Sequence, residues 1–123
     1  MPSQPNSPVT IYHNPGCGTS RNVLAALREK GLAPVVVEYL KVGWTEPQLK
    51  ALFERMGVAP RDLLRVRGTP AEELGLTRPG VTDAAILKAM VAHPILVERP
   101  IVTTARGAML CRPADRLEAL LGA

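Results

Sequence analysis

The segment Thr10-Ile11-Tyr12-His13-Asn14-Pro15-Gly16-Cys17-Gly18-Thr19-Ser20-Arg21-Asn22 constrains the fold more than any other. An apolar run, Val9 to Tyr12, reaches a Pro/Gly loop, and a helical pattern begins directly after it. Val23, Leu24 and Leu27 fall on one face of that helix, and Gly31 stands where a left-handed stop is needed. Pro34 then introduces Val35-Val36-Val37, a β-branched run that reads as a buried strand. Strand, helix and strand over this span form a βαβ unit, parallel and right-handed. One of the two cysteines, Cys17, therefore sits at a helix N-terminus, where unpaired N–H groups and the positive end of the dipole favour a thiolate and can cradle an oxyanion.

The middle of the chain carries helix signals. Thr45-Glu46-Pro47-Gln48 combines an N-cap, a first-turn proline and a capping-box glutamine. Leu49, Leu52, Phe53 and Met56 follow at helical spacing, and Gly57 ends the pattern. Pro60 opens a short helix predicted to run through Leu63-Leu64-Arg65 to the break at Gly68. Thr69 starts a further turn ending at Gly75. Thr82-Asp83 caps a helix with Ile86, Leu87, Met90 and Val91 on one face, closed by His93-Pro94, with His93 read as a cap. Ile101–Thr104 and Ala108–Cys111 then read as a β-hairpin about Ala105-Arg106-Gly107, and Pro113 opens a last helix. The expected fold is α/β: a thioredoxin/glutaredoxin-like mixed four-stranded sheet, with a helical insertion at 45–92 between a βαβ half and a ββα half. Residues 1–8 are expected to be a flexible lead, and 9–123 a single domain.

Composition narrows the function classes. Aromatics make up 3% of the 123 residues, so Val, Leu, Ile and Ala must build the core. No apolar run approaches the ~20 residues of a membrane span. The N-terminus lacks the pattern of a secretory signal, so a cytoplasmic protein is expected, without a stable Cys17–Cys111 disulfide. The net charge is +4, but the basic residues are scattered and few rings are available for base stacking. Attraction of a small anion fits this charge, and nucleic-acid binding is not expected.

Cys17 is the candidate nucleophile, because a thiolate is the attacking form and glycines flank it. Ser20 makes the motif Cys-x-x-Ser, so no resolving thiol stands at the usual spacing. A disulfide formed at Cys17 must be resolved by another molecule or by Cys111, which itself reads as a structural strand cysteine. Val23 occupies the place where a phosphatase-type loop would carry arginine. His13 either tunes the loop's proton affinity or is a structural histidine. Arg65, Arg99 and Arg112 are charges confined among apolar or proline neighbours, and guanidinium forks gathered near a thiolate would bind a tetrahedral oxyanion. His13, Asn14, Gly18, Thr19, Ser20 and Arg21 surround Cys17 as supporting residues. No Cys/His/Asp cluster has metal-ligand spacing, so no metal site is expected.

His13 through Asn22, Leu63-Leu64-Arg65, His93 through Val102, and Leu110-Cys111-Arg112-Pro113 together resemble the glutaredoxin-coupled arsenate reductases of bacteria. The resemblance runs from Val9 to the C-terminus with order and spacing kept. It implies that Cys17 is the nucleophile, that Arg65, Arg99 and Arg112 hold the arsenic oxyanion, and that His13 supports the thiolate electrostatically. It also implies a cis Arg99–Pro100 bond. Arsenate, glutathione as co-substrate and glutaredoxin are the implied partners, with no bound cofactor. Two other readings stay open: a redox regulator resembling the Spx group, which binds RNA polymerase, and a general glutathione-dependent thiol oxidoreductase. Ser20, in place of a second cysteine, and Arg65 speak against the first of these. Arg65 separates the second from an arsenate reductase.

Overall fold

The computed structural model describes residues 9–105 and 107–111. The expected lead at 1–8, Arg112 and the expected last helix lie outside these residues. The chain divides into two compact units, Met1–Val42 with Arg99–Ala123, and Gly43–Glu98.

The first unit contains strand β1 (Thr10–Tyr12), helix α1 (Gly18–Glu29), strand β2 (Val35–Val37), the short helix α2 (Tyr39–Val42), and strands β3 (Ile101–Thr104) and β4 (Gly107–Leu110). The strands form one sheet in the order β2-β1-β3-β4. β1 pairs parallel with β2 and antiparallel with β3, and β3 pairs antiparallel with β4. This is the mixed four-stranded sheet expected from the sequence. β2, however, is an edge strand rather than a buried one, and Val35 is 51% exposed. The three valines pair with β1 alone, and the preceding Pro34 has no N–H to offer a further strand. The α2 turn was not signalled in the sequence, which has neither a cap nor helical periodicity there.

Helix α1 lies on the sheet through Val23 and Leu27, both fully buried against Ile11, Val102 and Cys111. Their i, i+4 spacing aligns them on one face. Deleting a side chain such as Leu27 from this contact would cost about 2–5 kcal/mol. The helix ends in a Schellman motif: the Gly31 N–H bonds the Arg28 carbonyl at 3.0 Å and the Leu32 N–H bonds the Leu27 carbonyl at 3.2 Å. Gly31 takes the left-handed conformation this requires, with φ of 81°.

The second unit contains α3 (Glu46–Met56), a 3₁₀ turn at Pro60–Leu63, α4 (Asp83–Ala92) and a second 3₁₀ turn at Pro94–Leu96. The Thr45–Gln48 capping box starts α3, with Gln48 N–H donating to Thr45 Oγ1 at 3.2 Å and Thr45 N–H donating to Gln48 Oε1 at 3.3 Å. Thr82 caps α4 through the Ala85 N–H. Leu49, Leu52 and Phe53 of α3 are buried, as are Ile86, Leu87 and Met90 of α4. The expected helix through Arg65 stops at Leu63. Leu64 is extended, with φ of −74° and ψ of 119°, and bridges Val97 in antiparallel fashion. His93 ends α4 through its backbone N–H, which bonds the Ala89 carbonyl at 2.7 Å.

Candidate active site

The loop between β1 and α1 is built by Asn14 and Ser20. Asn14 Oδ1 accepts the Gly16 N–H at 2.9 Å, and the Asn14 carbonyl accepts the Cys17 N–H at 3.0 Å. This is an Asx turn nested in a β-turn, with Pro15 and Gly16 at the central positions that favour them. A Cβ on Gly16 would stand 3.3 Å from Asn14 Oδ1, so the residue keeps the turn open to its own amide bond. Arg21 closes the outside of the loop, its Nη1 donating to the Pro15 carbonyl at 2.8 Å.

Cys17 is the N-cap residue of α1, in extended conformation, and no acidic residue occupies the first turn. The first intrahelical bond runs from Arg21 N–H to the Cys17 carbonyl. The N–H groups of Gly18, Thr19 and Ser20 precede it and form the positive helix end next to the sulfur. The sequence leads one to expect an open thiol between two glycines. Cys17 is instead 7% exposed, while Gly16 and Gly18 are exposed beside it.

His13 and Ser20 are both buried, and His13 Nδ1 lies 2.6 Å from Ser20 Oγ. The Asn14 N–H donates to the same oxygen at 3.1 Å. Ser20 thus joins the helix start to the end of β1. Burial pushes the His13 imidazole below its usual range; the Glu38 carboxylate opposes this, and the Arg28 and Arg21 cations add to it. A lowered value leaves the ring neutral at pH 7.

Tyr12 pairs with Ile101 in the sheet, so the cysteine loop leaves β1 at the end where β3 begins. Arg99 precedes β3, is 9% exposed and joins Pro100 through a cis bond. The Cys111 N–H donates to the Pro100 carbonyl at 2.9 Å, tying the end of β4 to the residue after Arg99. Cys111 lies in the core of this unit, one residue past β4 rather than within it as the sequence suggests, and neither it nor Cys17 is in a disulfide. Arg65 belongs to the second unit, where its Nη1 donates to Glu98 Oε1 at 2.9 Å. Sequence reasoning missed Glu98, whose only signal is a carboxylate directly after the apolar Ile95-Leu96-Val97. A groove of about 680 Å³ in the second unit, lined by Glu46, Lys50, Phe53, Glu54 and Leu87, contains none of the expected site residues. Among the described residues no group of His, Cys, Asp and Glu side chains could hold a metal ion, and no helix is long and apolar enough to cross a membrane.

A mixed β2-β1-β3-β4 sheet with a cysteine capping the helix behind β1 defines a thioredoxin-like thiol protein. Residues 12–120 match the ArsC family, and the chain belongs to that family. It is 55% identical over 107 residues to the arsenate reductase ArsI2 of Synechocystis sp., covering 87% of this chain and 76% of that relative. It is 47% identical over 109 residues to the arsenate reductase of Escherichia coli, covering 89% and 77%. Among solved structures, the arsenate reductase from Vibrio cholerae superposes with a TM-score of 0.87 at 36% identity, covering 93% of this chain and 98% of that one.

Proposed function

We propose that the protein reduces arsenate to arsenite through a covalent adduct on Cys17, with glutathione as co-substrate and glutaredoxin as the resolving partner. The observation that carries this reading is Cys17 at the N-cap of α1, with no acid in the first turn, in a chain matching the ArsC family over 12–120. The resemblance assigns the arsenate oxyanion to Arg65, Arg99 and Arg112, whose forks suit a tetrahedral oxyanion. The Cys17 thiolate attacks As(V) and displaces hydroxide, forming an S–As bond. A glutathione thiolate then attacks the Cys17 sulfur. The S–As bond breaks, its electron pair passes to arsenic, and arsenic becomes As(III) while the two sulfurs form a disulfide. Glutaredoxin takes the glutathione from Cys17 and restores the thiol. Ser20 in place of a second cysteine supports this division of labour, since no thiol at that spacing competes with the external one.

The resemblance gives His13 a supporting role toward the Cys17 thiolate, and the ring is tied to the helix start through Ser20 Oγ at 2.6 Å. A reaction that draws its electrons from glutathione fits a cytoplasmic setting. The test is arsenate-dependent NADPH oxidation coupled through glutathione, glutaredoxin and glutathione reductase. Turnover should vanish in Cys17→Ser and persist in Cys111→Ser. No arsenate-dependent rate in the wild type would contradict the reading.

A further inference from the structure

The second unit contains a two-stranded contact that no helix or sheet of the fold requires. Leu64 and Val97 bridge in antiparallel register. On either side, the Arg65 N–H donates to the Leu96 carbonyl at 2.7 Å and the Glu98 N–H donates to the Leu63 carbonyl at 2.8 Å. In such a register residue 65 stands opposite 96, and 63 opposite 98. Leu63 and Leu96 end the two 3₁₀ turns, and Arg65 and Glu98 each stand one residue past the bridge. Leu63 and Leu96 are buried at 2% and 0% exposure. Arg65 and Glu98, each directly following a bridging residue, meet at 2.9 Å with side-chain exposures of 17% and 25%.

A surface ion pair between long side chains would have little consequence, because both partners keep their rotamer freedom and are screened. This pair differs in two respects. Both backbones are fixed by reciprocal hydrogen bonds, and both side chains are mostly covered. The contact also uses a single guanidinium nitrogen. A guanidinium carries five N–H donors, so a carboxylate on Nη1 restrains the plane while the Nε/Nη2 edge keeps a complete fork.

We propose that Glu98 is a positioning residue for Arg65, holding Nη1 so that the other edge of the guanidinium is presented to arsenate in fixed orientation. The inference rests on the reading that Arg65 binds arsenate, and adds to it a residue the substrate does not touch. Restraint before binding removes an ordering step that the substrate would otherwise drive, so its effect falls on arsenate affinity rather than on the chemical step.

The experiment is steady-state kinetics with arsenate varied and glutathione and glutaredoxin saturating. Glu98→Ala should raise KM for arsenate about tenfold with kcat within about twofold of wild type. Glu98→Asp keeps the charge but withdraws the carboxylate by one methylene, and should raise KM about threefold. Glu98→Gln keeps an acceptor oxygen at the same reach and should restore a near-wild-type KM. Arg65→Ala with Glu98→Ala should match Arg65→Ala alone, because Glu98 acts through Arg65. Glu98→Asp is the conservative variant and carries the test if Glu98→Ala does not fold. An unchanged or lowered KM in Glu98→Asp overturns the proposal, as does a Glu98→Gln variant no better than Glu98→Ala, or a further loss in the double variant. A wild type without arsenate-dependent turnover overturns the functional reading and this inference with it. Wild-type turnover with an unchanged KM in Glu98→Asp overturns the role of Glu98 alone.

Discussion

His13 Nδ1 lies 2.6 Å from Ser20 Oγ, and the same oxygen accepts the Asn14 N–H at 3.1 Å. One buried hydroxyl therefore fixes the strand end, the turn before Cys17 and the first turn of α1. The serine of Cys-x-x-Ser is thus more than an absent cysteine.

Ser20→Ala removes that oxygen and leaves two buried polar groups without it. The variant should be about 2 kcal/mol less stable. A lower urea midpoint with an unchanged m-value would show this, and an unchanged midpoint would mean that the loop holds without the tie.

Acidification should weaken the fold through His13. Its folded-state value lies below the ordinary 6.5, chiefly from burial. The unfolded chain therefore takes up a proton before the native state does, and stability falls as pH drops through 6.5 toward the lowered native value, then levels off. In His13→Gln this component is absent. Denaturation midpoints from about pH 8 to about pH 5 should show the wild type losing ground to the variant on the acid side. Parallel curves would contradict the burial argument.

Cys111 is fully buried, with its sulfur 3.8 Å from the Met109 carbonyl oxygen. Cys111→Ser puts a hydroxyl in that core position and should cost about 1–3 kcal/mol. Arsenate turnover per folded molecule should stay at the wild-type level. A selective loss of turnover would instead place this thiol in the reaction.

Thr45→Ala breaks the capping box at the start of α3. The Gln48 N–H loses its acceptor at 3.2 Å, and the expected loss is about 1 kcal/mol in thermal or chemical denaturation.

Much of this architecture was legible in local signals. Gly31 and Gly57 stop their helices, Thr45 and Thr82 start theirs, and Val23 and Leu27 mark the face of α1 that meets the sheet. What stayed hidden depends on distant pairing. Three valines look alike in a central or an edge strand, so the exposure of Val35 follows only from the strand order. The helix expected through Arg65 gave way because Val97, far along the chain, takes Leu64 into a bridge. The place of Cys17 was readable because a helix start is local. The attachment of Ser20 to His13 and of Glu98 to Arg65 was not, since each joins separate elements.

The central claim is that arsenate oxidises Cys17 together with glutathione. Intact-protein and peptide mass spectrometry tests it most directly, on reduced protein incubated with arsenate and glutathione in the absence of glutaredoxin. The account predicts a glutathione adduct on the Cys17 peptide that forms only when arsenate is present and is removed by adding glutaredoxin. An adduct that forms equally without arsenate, or that maps to Cys111, would contradict it.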